Sequence, residues 1–508
     1  MSNKSIFEKE KLSLWLKDGI MHEFPSLNTD ISTPICIVGA GIAGITTAYI
    51  LSELGHNIVL IDSSIPINLT TGNTTAKFTF QHGIIYSKII DKYGLDEALL
   101  YYESQVEAMQ YVKKLIVDYD IQCDFNNTYS MIYAETQKEL DEIKEEFEAY
   151  KKLNIPCELV YDLPYGISGI GGLKVNNQFN LNPVKYLSFL LDKLMENGVQ
   201  IYQNTNAVDI EESDNENIII TEDGYKIATE KIMITTGYPF FDGGGLYFTR
   251  LAPYRSYLIA FPSDIQDSAM LISNSQSPYS IRFSNTDGTN QVLVGGKGHK
   301  VGQEESAMAS YSQLIEFGRK HFNATDPSYR WSAQDYESLD KIPYVGNITS
   351  KHGNILVATG FRKWGMTNGT SAAILLSSLI TGEDSKFKEL FNPSRSEMLK
   401  STGKFMKENL NVAKELIKGK MLPDEINLED IKNDEGGIIK HNGKRLGAYR
   451  DNNGTLFLVD STCTHLGCEL EYNNGERSFD CPCHGSRFTY EGKVIEGPAV
   501  LDLKKIDE

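Results

Sequence analysis

Two short runs near the end of this 508-residue chain constrain it more than anything else: Cys463-Thr-His465-Leu-Gly-Cys468 and Cys481-Pro-Cys483-His484-Gly-Ser486. The first offers Cys-x-His and the second Cys-x-x-His. Fifteen residues separate the two pairs, enough for two short loops to converge on one centre from opposite sides. Two thiolates and two imidazoles are the ligands of a [2Fe–2S] cluster in which histidines replace the cysteines of one iron. The same set suits tetrahedral zinc. Zinc fingers, however, group their cysteines and their histidines separately, whereas each loop here carries one of each. The preferred reading is a cluster held by Cys463, His465, Cys481 and His484, with zinc as the alternative. A chain with such a centre moves electrons.

Cys468 and Cys483 sit one in each loop and are not needed as ligands. With them, residues 423–508 resemble the Rieske subunits of respiratory and photosynthetic cytochrome complexes. Ring-hydroxylating dioxygenases have a similar site, but usually with an aromatic residue at the position of Cys483. The resemblance implies an all-β domain and a disulfide between Cys468 and Cys483. It also implies a hydrogen bond from Ser486 to a bridging sulfide and a proline loop at Gly497-Pro498-Ala499. Phe488 stands where high-potential members have a tyrosine hydroxyl bonded to a ligand sulfur. Without that donor the reduced cluster is less stabilised, because hydrogen bonds to the sulfurs tune the potential.

The rest of the chain is large enough for roughly one or two further domains. Its composition, 41% hydrophobic and 23% charged, is ordinary for a globular protein. A net charge of -19 argues against nucleic-acid binding, which needs a basic surface. Residues 1–30 contain no continuous apolar stretch of the secretory kind, and no run is long enough to span a membrane. A cytoplasmic enzyme is expected. A disulfide there is unusual unless packing beside the cluster shields it. Cys36, Cys123 and Cys157 are scattered and suggest no framework.

Pro34–Val38 reads as a buried strand, and Gly39-Ala-Gly41-Ile-Ala43-Gly44 follows it. A helical stretch runs to Leu54, and a second strand, Asn57–Ile61, ends at Asp62. A Gly-x-Gly-x-x-Gly alone is weak; between a strand and a helix, with an acidic residue ending the next strand, it is the βαβ dinucleotide fingerprint. Gly39 allows the tight turn, Gly41 lets the backbone approach the pyrophosphate, and Gly44 lets helix and strand pack. The helix N-terminus offers N–H groups to the phosphates, and Asp62 can take a ribose hydroxyl.

Neither Gly166-Ile-Ser-Gly169 nor Gly243-Gly244-Gly245 forms a second fingerprint. With one nucleotide site, residues 33–385 resemble the D-amino-acid oxidase family of amine-oxidising flavoenzymes. The parts that carry the likeness are the fingerprint and the loop Thr70-Thr71-Gly72-Asn73-Thr74-Thr75-Ala76-Lys77. Beyond them come Thr236-Gly237 after a strand, Asp340–Gly346, Gly360-Phe361, and Met366-Thr367 opening a helix at 370–379. The resemblance implies FAD, non-covalent because no cysteine lies between 158 and 462. It assigns a Rossmann-like FAD-binding domain of mixed α/β and α+β class, with nucleotide parts at about 33–94 and 340–385. An interleaved mixed-sheet, substrate-facing part takes up about 95–339. The helix at 370–379 would aim its N-terminus at the flavin's pyrimidine edge, where its partial positive charge favours the anionic reduced form.

Within the substrate part, Arg250, Tyr254, Arg255, Tyr257 and Arg282 are candidates for binding a substrate carboxylate, though strand arginines are more often structural. His82 and Tyr86, just after the flavin loop, are comparable catalytic candidates. The charge run Lys138–Lys152 reads as a solvated helix face. In the arm 1–32, Ser13-Leu-Trp15 is either an anchor or part of a mobile arm. The lysine-rich linker 386–422 is either a helical strap between domains or a basic helix on a membrane surface, the strap being preferred.

A hydride acceptor fused to a one-electron carrier splits electron pairs. The sequence therefore predicts a dehydrogenase of a small amine or amino acid that passes electrons singly to an acceptor protein or a quinone, and the Rieske resemblance implies that His465 and His484 are exposed toward that partner. The alternatives are a redox-sensing or docking protein, and a reductase in which the cluster feeds the flavin.

Overall fold

The computed structural model describes residues 12–18, 22–213, 216–286, 288–303, 306–395, 408–416, 427–441 and 443–506. The run Ile35-Cys36-Ile37-Val38 is buried throughout, as a parallel strand covered on both faces must be. Its strand, Ile31–Val38, pairs in parallel with Ile58–Ile61 and Lys226–Gly237. Gln200–Tyr202 and Ile355–Thr359 extend the parallel core, and Tyr344–Asn347 adds an antiparallel edge. Asn217–Thr221 and Ala207–Glu211 hang from the strand 226–237, giving an eight-stranded sheet. The helix Ile42–Glu53 is nearly all buried, packed between this sheet and the helix Gly365–Thr381.

Residues 200–237, placed by the sequence in the substrate-facing part, belong to this nucleotide sheet. The reason is non-local: the pairing of Ile232–Ile234 with Cys36–Val38 leaves no trace in either segment alone. The second sheet has nine strands, among them Leu251–Pro262, Tyr279–Thr286, Thr289–Lys300 and Tyr329–Ser338. The helix Ala307–Phe322 covers its far face.

The helix Gln137–Lys152 starts at a capping box on Thr136 and Glu139, and most of its charged residues are solvated. Glu146 is the exception. Fully buried, its carboxylate accepts the backbone N–H groups of Ile85, Tyr86 and Ser87, the orphan donors at the start of the helix Tyr86–Tyr93.

The C-terminal domain is all β, with a three-stranded sheet, Glu435–His441, Lys444–Arg450 and Leu456–Asp460. Its four-stranded sheet runs from Glu471 to Glu496. Of the linker, Lys388–Phe391 and 408–416 are helical. Val412 and Leu416 pack on the core of the C-terminal domain, while Glu408 pairs with Lys300 and Asn409 reaches Thr249 O of the first domain. The described helix thus touches both domains, as a strap would. Met398, Leu399, Phe405, Met406 and Ile417 lie outside the described residues. Among the described residues no helix is long and apolar enough to cross a membrane.

Candidate functional site

At the end of the strand 31–38 the chain turns through Gly39, whose φ is +106°. A Cβ there would meet Thr235 carbonyl atoms at 2.9 Å, and one on Gly44 would lie 1.9 Å from Gly39 O. At Gly41 the only neighbour within 4 Å among the described residues is Thr71 Oγ1, at 3.0 Å. The first and third glycines are therefore required by packing, and the second keeps open the space in front of the helix. Asp62 accepts N–H groups from Ala40 at 2.6 Å and Ser64 at 2.8 Å, one on each oxygen. Burial raises its pKa to about 6 against the lowering effect of those bonds. Each oxygen keeps a lone pair for a ribose hydroxyl.

The loop 70–77 is pinned by its carbonyls. Ser13 Oγ donates to Gly72 O at 2.6 Å, Trp15 Nε1 to Thr74 O at 2.8 Å, and Trp331 Nε1 to Asn73 O at 2.9 Å. Arg282 donates to Thr75 O and Ala76 O. Ser13 and Trp15 are fully buried, so that part of the arm is an anchor. With the acceptors held from behind, Thr71, Thr74 and Thr75 line one cavity of about 970 Å³. Gly39, Gly41, Ala43, Asp62, Thr236, Gly237, Phe361 and Met366 line it too, as does Lys77. Gly44, Gly360 and Thr367 stand behind its wall. A glycine-lined cradle at a helix N-terminus, faced by a hydroxyl loop, fits a dinucleotide.

In the C-terminal domain, Cys468 and Cys483 form a disulfide. The rings of His465 and His484 are 5.1 Å apart. Their Nδ1 atoms are buried and, among the described residues, without hydrogen-bond partners. Burial lowers both imidazoles to about pH 4, so both are neutral, as metal ligands must be. Cys463 and Cys481 hydrogen-bond to each other, which draws Cys463 down to about 7. Two orphaned imidazole nitrogens on the same two loops as two paired thiols fit a cluster; buried polar atoms otherwise find partners. Ser486 lies within hydrogen-bond reach of Cys463 and accepts the N–H of Ala499 at 2.9 Å. Phe488 is fully buried and brings no hydroxyl.

The family model for FAD dependent oxidoreductase matches residues 34–379. The chain belongs to this family. A Rieske [2Fe-2S] domain model matches residues 424–507. This FAD-dependent oxidoreductase is 38% identical to the Rieske 2Fe-2S iron-sulfur protein YhfW of Bacillus subtilis (strain 168), with 100% of both chains covered. Its end is 36% identical over 92 residues to the chloroplastic cytochrome b6-f complex iron-sulfur subunit of Arabidopsis thaliana, covering 18% of this chain and 37% of that one. Among solved structures, glycine oxidase from Geobacillus kaustophilus superposes with a TM-score of 0.61 at 14% identity, covering 72% of this chain and 99% of that one. L-proline dehydrogenase from P. horikoshii gives 0.57 at 17%, covering 72% and 98%. The cofactors of this oxidoreductase are FAD and a [2Fe–2S] cluster.

The oxidoreductase's catalytic candidates divide. His82 and Tyr254 line the cavity. His82 is buried between Tyr101 OH, 2.7 Å from Nδ1, and Thr367 Oγ1, 2.8 Å from Nε2. Burial, with help from Arg362, lowers it to about 3. A neutral, poorly basic ring on the first turn of the helix 365–381 positions that helix. Tyr86 is packed among Tyr101, Tyr102 and Tyr150 and donates to Phe80 O, away from the cavity.

Of the arginine candidates, Arg250, Arg255 and Arg282 do not line the cavity, whereas Arg362, which the sequence did not single out, does. Arg250 stacks on Tyr344 and donates to the carbonyls of Gly245 and Pro393, and Arg282 clamps the loop. Tyr257 bonds His299 Nε2 at 3.0 Å. Arg255 crosses to the Rieske domain, 3.1 Å from Glu496 and 3.3 Å from Glu476. Arg487 completes that buried network on Asp480 and Glu496.

His465 and His484 do not both face solvent. His484 is only 5% exposed, with the ring of Phe248 5.9 Å away. His465 is half-buried, its ring 6.3 Å from Tyr238, which lines the flavin cavity. The cluster loops close on the chain's own flavin domain because Arg255 and the carbonyl-binding side chains of Gln303 and Gln334 hold them there. The sequence missed Tyr238 and Tyr336, 5.2 Å apart. Tyr238 follows Thr236-Gly237 directly, the one local sign available.

Proposed function

We propose that this chain is a dehydrogenase of a small amine or amino acid, passing the electrons internally from flavin to cluster and then to an external one-electron acceptor. The observation that carries this reading is Tyr238, which stands in the wall of the flavin cavity on one side and against the ligand His465 on the other. Bound FAD supplies acceptance of an electron pair from the substrate, and the [2Fe–2S] centre supplies transfer of single electrons.

The chain's own residues do the rest. Tyr254 and Ser256 of the strand 251–262 wall the substrate side of the cavity. Lys77 is the cation best placed to hold a carboxylate: its Nζ donates only to Leu271 O at 2.9 Å and Ser280 Oγ at 2.7 Å, with no ion pair among the described residues. Burial lowers its pKa to about 7, and an arriving carboxylate would raise it by supplying the missing counter-charge. Lys363, also in the wall, lies 5.4 Å from the ring of Tyr254. Docking of the Rieske domain excludes water from the His484 side. The exposed edge of the cluster loop, Thr464, Leu466 and Gly467, is where an acceptor protein or a quinone can approach.

The test is steady-state oxidation of amines and amino acids with an artificial one-electron acceptor, alongside anaerobic flavin bleaching. The reading expects bleaching by one substrate class and turnover that depends on the acceptor. Bleaching without acceptor turnover would oppose it. No bleaching by any amine would favour a redox sensor.

A further inference from the structure

The cavity that begins at the glycine turn does not end inside the flavin domain. Its wall continues through residues 493–500 and Asp502 of the Rieske domain. A chain of contacts leads there from the ribose-binding acid. Thr205 N–H donates to Asp62 O at 2.8 Å, and Asn204 N–H to Ser64 O at 3.3 Å. Beside them, Asn206 Nδ2 donates to Val500 O at 3.3 Å and to Glu222 Oε2 at 3.2 Å. Further along, Tyr336 OH donates to Gly497 O at 2.6 Å. Lys493 pairs with Asp502, near Glu222 and Asp223. The buried network of Arg255, Arg487, Glu476 and Glu496 fixes the domain in this position. The family model ends at residue 379, so this wall is not part of what the family supplies.

We propose that residues 493–502 are part of the FAD site, closing it over the ribose next to Asp62, so that the docked Rieske domain retains the flavin. A ligand enclosed by two domains leaves only when one of them moves, so FAD and docking stabilise each other by the same free energy. The proposal rests on the FAD assignment and is independent of which way electrons flow; the acceptor assay and the test below can fail separately.

The test is hydrogen exchange on the full-length protein with its cluster, before and after FAD is restored to deflavinated samples. Slower exchange across 493–502 on FAD binding is expected. The second measurement is FAD affinity in Lys493→Glu, which places another carboxylate beside Glu222, Asp223 and Asp502. Its Kd should rise about tenfold, a loss of about 1.4 kcal/mol, with the cluster's electron-spin signal unchanged. Protection confined to the flavin domain would overturn the proposal, as would an FAD affinity unmoved in the folded variant.

Discussion

The two cofactor sites are built in opposite ways. The residues proposed to hold the cluster all lie between Cys463 and His484, on two turns of one small domain tied by a disulfide. The flavin cavity draws on the glycine turn, Asp62, the loop 70–77, the strand end at 236–237, residues 361–366 and the distant segment 493–502. A site concentrated in two loops depends on a few ligand atoms. A site assembled from many segments depends on backbone approach and on the side chains that hold each segment in place. Single substitutions should therefore act sharply at the first and by steric exclusion or loosening at the second.

Largest of all should be His484→Ala, which removes one of four ligands and should abolish the Rieske electron-spin resonance of the reduced protein. A surviving signal would show that the local site is not what it looks like. Next is Gly41→Val. The branched side chain would fill the space in front of the helix that the pyrophosphate needs, and the purified, folded variant should lack flavin. Normal flavin absorbance there would break the account of the assembled site.

Arg255→Ala probes the seam between the two sites. It takes the second guanidinium away from Glu476 and Glu496, which keep their pairing with Arg487, and removing one partner of a buried ion network costs about 3 kcal/mol. Denaturant melts that follow cluster absorbance should show the loss, whereas an unchanged midpoint would mean that docking does not rest on this network. The smallest effect at neutral pH should come from His82, whose contribution appears only on acidification. Its folded pKa of about 3 lies below the unfolded value, so the unfolded chain binds the proton first as pH falls. Stability is then complete above about pH 6.5 and declines toward pH 3 by up to about 1.4 kcal/mol per pH unit. His82→Gln should flatten that limb in melting curves recorded between pH 7 and 4; an identical slope would place the titration elsewhere.

This contrast also explains what the sequence revealed. The Rieske domain was legible from Cys463, His465, Cys481 and His484 because their spacing is local, and the nucleotide fold from Gly39-x-Gly41-x-x-Gly44 because strand, turn and helix are contiguous. The membership of 200–237 in the nucleotide sheet was not, since it depends on pairing with residues far away in sequence. Arg255 was one of several candidates for a substrate carboxylate, by residue type and strand position, with a structural role the preferred reading. Its actual partners, Glu476 and Glu496, lie in another domain, and no local pattern points to them. The expected exposure of His465 and His484 came from subunits that present their cluster to separate partners. Here those rings face the same chain, and only the docked structure places Tyr238 and Phe248 beside them.

The central claim is that electrons cross internally from the flavin to the cluster. Rapid-freeze-quench electron-spin resonance, paired with stopped-flow absorbance, tests it most directly when the oxidised holoprotein is mixed anaerobically with a substrate that bleaches the flavin and no acceptor is present. The account predicts that the reduced Rieske signal grows in with flavin bleaching or immediately after it. A fully bleached flavin beside a cluster that stays oxidised for many turnover times would contradict it.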